Sequence, residues 1–172
     1  MQNSFKIREA TANDVIALAT LHVATFIETH GSFKAPTFET RKWQWQKAFQ
    51  DDDHSWFCFV IEKEDDGLIG FAKGQLYNQV DHAEFSGELN KIYLLRRYHK
   101  LGLGRQLLCK VANEFILRGI NSMLLFGDAN NPSNKFYEHM GAEKLFANDG
   151  EFNGGYGWTD LQKLIAKNCP AA

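Results

Sequence analysis

Between Arg96 and Arg105 stand four fixed positive charges, Arg96, Arg97, Lys100 and Arg105, with no acid among them, in a chain whose formal net charge is −2. Gly102 and Gly104 lie in the same stretch and let the backbone turn tightly and approach a ligand closely. If a helix starts there, its first N–H groups and its dipole favour an anion, so these residue types at this spacing suit a pyrophosphate. A P-loop would need Lys and Ser or Thr after its last glycine, but Arg105 and Gln106 follow Gly104. A dinucleotide fingerprint would need a third glycine where Leu107 stands. A plain strand-to-helix turn also contains G-x-G, so the surroundings must decide.

Those surroundings read as a buried strand, the loop, and an amphipathic helix. The strand, around 85–95, changes phase: Leu89 is apolar at an odd position, Ile92 and Leu94 at even ones. A β-bulge would explain the switch, since one extra residue turns later side chains to the opposite face. The helix carries Leu107, Leu108, Val111 and Phe115 on one face and stops at Gly119. SMLLF (122–126) is a short buried strand, so strand, helix and strand form a parallel βαβ unit. Pro132 opens a further helix that ends at Gly141.

Upstream, residues 5–9 alternate as a strand, and Thr11 caps a helix carrying Val15, Leu18, Leu21, His22 and Phe26. Gly31 ends it, and a second helix presents Phe38, Lys42, Trp45 and Phe49. The runs 55–63 and 68–77, joined by EDDG, predict a hairpin. Downstream, 142–146 reads as a strand, the glycine-rich stretch after it as a turn, and YGWTDLQKL (156–164) as a final strand. Together these predict one domain spanning 1–172, of mixed α/β class. Its central sheet is mostly antiparallel, flanked by helices, with a bulged central strand.

HKLGLG, from His99 to Gly104, resembles the acetyl-CoA loop of the GCN5-related N-acetyltransferase (GNAT) superfamily, which runs Gln or Arg, x, x, Gly, x, Gly or Ala. Both glycines fit, and His99 replaces the usual Gln or Arg. A second family element, Asn, x, x, Ala or Ser, x, x, x, Tyr, then Glu, x, x, Gly, is matched by Asn130, Ser133, Tyr137, Glu138 and Gly141. The resemblance implies a GNAT-like acyl-CoA N-acyltransferase fold and acetyl-CoA as cosubstrate. It places the cofactor-binding positions at Ile92, Tyr93, Leu94, Arg97, His99, Lys100, Leu101, Gly102, Leu103, Gly104, Arg105, Asn130, Ser133 and Tyr137.

Acetyl transfer to an amine needs a bound thioester, a deprotonated nucleophile, an oxyanion donor and a proton for the departing thiolate. The resemblance assigns the pyrophosphate to the loop and the pantetheine arm to Asn130. The oxyanion goes to a backbone N–H near the bulge, between Ile92 and Leu94. An alkyl amine of pKa about 10.4 is almost wholly protonated at neutral pH, and Glu88 is the candidate base. It precedes His99 by eleven residues, similar to the catalytic glutamate of histone-acetylating members, and strand burial would raise its pKa. The competing reading is a solvent-facing or ion-paired strand glutamate. Tyr137 is the candidate acid, a phenol neutral at pH 7; the competing reading is a tyrosine packed in the core.

ELNKIYLL and TFIETHG resemble the PaiA-like branch associated with polyamine acetylation, and Glu28, Glu84 and Glu88 could face a cationic amine. A small polyamine is therefore the first acceptor. A protein N-terminus or lysine is the runner-up, and a non-catalytic acyl-CoA sensor the rival from another class. The basic residues cluster on one loop, which argues against nucleic acid. No run approaches a membrane span, and MQNSFKIREA lacks a signal-peptide core, which predicts a cytoplasmic protein. Cys58, Cys109 and Cys169 are odd in number without metal-ligand spacing, which predicts reduced structural thiols and no metal. His22, His30, His54, His82 and His139 also lack ligand spacing, Trp43, Trp45 and Phe49 read as packing, and the chain leaves a homodimer open.

Overall fold

The structure, a computed structural model, describes residues 4–171. In chain order the elements are β1 (Phe5–Glu9), α1 (Val15–His30), α2 (Phe38–Gln50), β2 (Trp56–Lys63), β3 (Gly67–Leu76) and β4 (Gly87–Leu94). They continue with α3 (Leu103–Leu117), β5 (Met123–Leu125), α4 (Asn134–His139), β6 (Glu143–Leu145), β7 (Gly155–Trp158) and α5 (Leu161–Asn168). The strands form a seven-stranded sheet in the order β1-β2-β3-β4-β5-β7-β6. β4 and β5 pair in parallel, Glu88 opposite Leu124, while β1–β2, β5–β7 and β6–β7 are antiparallel. This is the mixed α/β architecture that the pattern of hairpin followed by βαβ unit predicts.

The chain groups into two compact units, one of residues up to Lys73 with Lys91–Leu107, the other of Gly74–Asn90 with residues from Leu108 onward. In the first, α1 buries Val15, Leu18, Ala19 and Leu21 at helical spacing on Trp45 of α2 and on Cys58, Val60 and Phe71 of the sheet. Side chains leaving the aqueous surface in this way contribute about 25 cal/mol per Å² of apolar area. The entry to α1 is fixed by Thr11, whose N–H donates to the Asp14 carboxylate at 2.8 Å, and by Arg8, which grips the same carboxylate at 2.8 and 2.9 Å. That guanidinium holds the Asp14 carboxyl below its usual range against the opposing effect of burial. Gly31 ends α1 at φ 81°, a conformation open to glycine. Of the predicted aromatic stripe, Trp45 and Phe49 pack as expected, but Trp43 is 63% exposed.

In the second unit, α3 buries Val111, Ala112 and Phe115. Gly87 of β4 passes directly beneath Phe115: a Cβ there would stand 2.9 Å from the ring. α4 is fastened to β7 by Trp158, whose Nε1 donates to the Met140 carbonyl at 3.0 Å, and by Tyr156, whose hydroxyl donates to Glu138 at 2.8 Å.

Two expectations are corrected. The run 156–164 is not one strand: β7 stops at Trp158, and the Asp160 carboxylate caps α5 by accepting the Lys163 N–H at 3.1 Å. Leu161 and Leu164, three apart, then bury one helical face, and a carboxylate directly ahead of that spacing was the overlooked signal. The cysteines are not all free thiols either. Cys109 of α3 is disulfide-bonded to Cys169 after α5, with Cα atoms 5.7 Å apart, and only Cys58 remains a thiol, buried and with its pKa pushed up by that burial.

Candidate active site

The predicted phosphate loop lies in the first unit, where Ile92, Tyr93 and Leu94 are half-buried at the end of β4. Leu95 ends the strand and a single 3-10 turn, Arg96–Tyr98, turns the chain. His99 then ties the loop back to the strand, its Nε2 lying 2.8 Å from the Leu94 carbonyl. Lys100 and Gly102 both have positive φ, 63° and 79°, on either side of exposed Leu101. Buried Leu103 opens α3, and the Gln106 N–H donates to the Gly102 carbonyl at 3.1 Å. The first N–H groups of a helix have no intrahelical acceptor, and α3 has fifteen residues to build a dipole behind them. Lys100 and Arg105 flank them as exposed cations, while Arg97 stacks over the Tyr98 ring at 5.0 Å.

Arg96 is otherwise engaged. Its guanidinium donates to the Glu28 backbone carbonyl, and its N–H donates to the Glu28 carboxylate at 2.8 Å. The loop's basic character is therefore carried by Arg97, Lys100 and Arg105, and Glu28 is committed to holding the turn in place.

In the second unit Glu88 is half-buried on β4 and accepts from Gln75 Nε2 of β3 at 2.7 Å, with Asn90 Nδ2 at 3.5 Å. Gln75 is the partner that reading the sequence missed. The signal was a polar residue interrupting an apolar hairpin strand, but only the strand pairing says what it meets. Tyr137 is 7% exposed and lies on the aromatic bed of β7, with ring centroids 5.8 Å from Tyr156 and 6.4 Å from Trp158. Burial first, and then Glu138, push the Tyr156 phenol up to about 12.

Glu88 stands opposite Leu124 and Leu124 opposite Gly157, so Glu88 shares one row of the sheet with the strand on which Tyr137 packs. Two strand spacings, about 10 Å, separate Glu88 from Gly157, while Tyr137 packs on Tyr156 and Trp158, whose side chains leave the opposite face of the sheet. Asn130 and Ser133 belong to the turn before α4. The Asn130 N–H donates to Asp128 at 2.8 Å with its side chain exposed, and the Ser133 carbonyl accepts the Tyr137 N–H at 3.2 Å. Asn134 shapes that turn through bonds to the carbonyls of Asp128 and Ala129 at 2.9 and 3.1 Å.

Residues 17–142 match the family model described as the acetyltransferase (GNAT) family. The chain belongs to the GNAT acetyltransferases. It is 30% identical, over 92% of its length and 95% of the other's, to YuaI, an uncharacterized N-acetyltransferase of Bacillus subtilis (strain 168). In fold it is similar to the PaiA N-acetyltransferase of Thermoplasma acidophilum, solved in complex with coenzyme A. The TM-score is 0.65 at 17% identity, over 90% of this chain and 98% of that one. An acetyltransferase of Thermus thermophilus gives 0.69 at 20% identity, over 90% and 96%. This GNAT protein is thus an acetyl-CoA-dependent N-acetyltransferase.

Its loop fits that cosubstrate in donor chemistry, offering backbone N–H groups and side chains of one sign. The space at Gly102 fits too, since a Cβ there would meet nothing nearer than the Arg105 guanidinium at 3.9 Å. Among the described residues no group of three or more His, Cys, Asp or Glu is placed to hold a metal ion, and no helix is long and apolar enough to cross a membrane.

Proposed function

We propose that the protein transfers the acetyl group of acetyl-CoA to a primary amine by direct attack, with Glu88 as general base and Tyr137 as general acid. Acetyl-CoA supplies the thioester carbonyl. The backbone from His99 to Gly104, with Arg97, Lys100 and Arg105, holds the pyrophosphate. Asn130 bonds the pantetheine arm, Ser133 sets the turn that presents it, and a backbone N–H between Ile92 and Leu94 receives the carbonyl oxygen. Glu88 removes the ammonium proton, directly or through one water, and Tyr137 returns a proton to the departing thiolate.

The observation that carries this reading is the half-buried Glu88 carboxylate on β4, held by the Gln75 amide of β3, which donates to it at 2.7 Å. The carboxylates favour a small polyamine as acceptor. Glu28 is committed to Arg96, but Glu84 and Glu88 remain, and together with Asp81 they help burial push up the Tyr77 phenol. Three acids therefore lie near one partly buried ring, a setting suited to an ammonium. Thiol release from acetyl-CoA across a panel of polyamines, amino acids, peptides and protein lysines tests the reading. Release with at least one small amine is expected. Tight acetyl-CoA binding with no release for any amine would instead identify a sensor.

A further inference from the structure

In the first unit Arg41 of α2 is 8% exposed, yet no acid among the described residues is set against it. Its Nη1 donates to Gln44 at 3.0 Å and its guanidinium lies over the Phe26 ring, 5.5 Å from the centroid. Its Nε is buried without a hydrogen-bond partner among those residues. A buried cation is normally paired and fully bonded, because both its charge and each open donor have lost their water. Here the neighbours cannot supply the missing charge. His22 of α1 offers a neutral ring whose Nδ1 accepts from Trp45 at 3.2 Å, and the other charges felt at His22, Lys73 of β3 and Lys91 of β4, are also positive. The remaining group that feels Arg41 is the phenol of Tyr93 on β4, which burial keeps neutral.

Tyr93 lies between Ile92 and Leu94, the stretch to which the acetyl-transfer reading assigns the thioester carbonyl. An anion seated on Arg41 would therefore face the Tyr93 side chain, which stems from the strand end that acetyl transfer gives to the reacting carbonyl. With Nη1 occupied, the Nε edge of the guanidinium is the one left for a planar oxyacid, which that fork matches in two parallel bonds. We propose that Arg41 binds an anionic group of the acetyl acceptor, a carboxylate or a phosphonate, so that the acceptor is a primary amine that also carries an oxyacid. The inference rests on acetyl transfer being the reaction. It replaces the wholly cationic polyamine, which the carboxylates alone favour, with an amine bearing both charges.

The test is thiol release by the full chain with free amino acids, their carboxamides, aminoalkylphosphonates and spermidine. Acids are expected to exceed their amides in kcat/KM by about tenfold to a hundredfold, the range for a bond between charged groups. Arg41→Gln should bring that ratio towards one, and Arg41→Lys, which keeps the charge but loses the fork, should fall between. Equal use of acid and amide by the unaltered protein, turnover of spermidine alone, or an equal rise in KM for acid and amide in Arg41→Gln would each overturn the proposal and leave acetyl transfer standing. The acid-to-amide comparison needs no variant, so a poorly folding Arg41→Gln does not shield the idea. If no amine of any kind releases thiol, the acetyl-transfer reading itself fails. The anion is then judged by titrating glutarate while following the Trp45 indole N–H resonance. A saturable shift that Arg41→Gln abolishes supports the Arg41 site, and no shift in either protein overturns it.

Discussion

Lowering the pH from 7 to 5 should unfold this protein more easily because of one residue, His22. Its ring is 2% exposed, packed against Trp45, Phe71 and Tyr93, and its Nδ1 accepts the Trp45 N–H at 3.2 Å. Burial first, then the charges of Arg41, Lys91 and Lys73, push its pKa from 6.5 to about 3. Protonating Nδ1 would also set two N–H donors against each other. Between those two values the unfolded chain takes up a proton that the folded protein refuses, so stability falls as the pH drops below 6.5 and is unaffected above it. At about 1.4 kcal/mol per unit, the loss is about 2 kcal/mol from pH 7 to pH 5, and roughly 4 kcal/mol once pH 3 is reached.

Urea unfolding followed by tryptophan fluorescence reads this directly. With a slope of about 2 kcal/mol per molar urea, the midpoint should fall by about 1 M between pH 7 and pH 5. His22→Asn places an amide oxygen near the Nδ1 position. It should be less stable at pH 7, through lost packing, but its midpoint should vary far less over that window. Carboxylates do not confuse the comparison: Asp14, held low by Arg8, contributes stability that is lost only below its ordinary value of 3.8. A wild-type midpoint flat from pH 7 to pH 5, or an equal slope in His22→Asn, would refute the reasoning.

Three further outcomes follow from the site and the fold. Tyr137→Phe keeps the ring on its β7 bed but removes the hydroxyl, so kcat should fall by about a hundredfold or more while acetyl-CoA binding, measured by calorimetry, changes little. Unchanged turnover at every pH would remove Tyr137 as the acid. Glu88→Gln should abolish the acid limb of the pH–rate profile, and a variant that keeps the full limb excludes Glu88 as sole base. Cys109→Ser opens a loop of sequence separation 60, which loop-closure entropy values at about 4 kcal/mol, or roughly 10 °C in Tm. Dithiothreitol should lower the unaltered protein to the melting temperature of the variant; a melting temperature indifferent to reductant would show that the bond is not made.

What the sequence made legible was local in origin. The strand, glycine loop and helix around 96–105 could be read because their cause lies within ten residues: a strand end, two glycines, a run of one charge sign, and an apolar helical face beginning at Leu103. The same holds for α1, α2 and the β2–β3 hairpin, whose caps and turns sit beside the apolar pattern they delimit. Misreadings came where two local signals overlapped. YGWTDLQKL alternates well enough for a strand, but Asp160 and the Leu161, Leu164 spacing belong to a helix, and the cap won because α5 buries both leucines.

The rest depends on partners far apart in the chain, and there the physical reasons differ from residue to residue. Gln75 and Glu88 meet because β3 and β4 are neighbours in the sheet, so neither residue alone announces the bond. Cys109 and Cys169 have no spacing to suggest a pair; α3 and the end of α5 bring them together. His22 looked like one more histidine in an apolar stripe, and the polar partner that lets it be buried, Trp45, is 23 residues away. Arg41 is the most telling case. Mid-helix arginines are ordinarily solvated, and nothing in FETRKWQW marks this one as buried. Only the packing of α1, α2 and β4 shows a cation enclosed with no acid among the described residues to meet it. Motif and spacing thus point to the family and its coenzyme, while the acceptor proposed above rests on contacts between elements, where a charge left without a partner carries more of the argument than the carboxylates visible in the sequence.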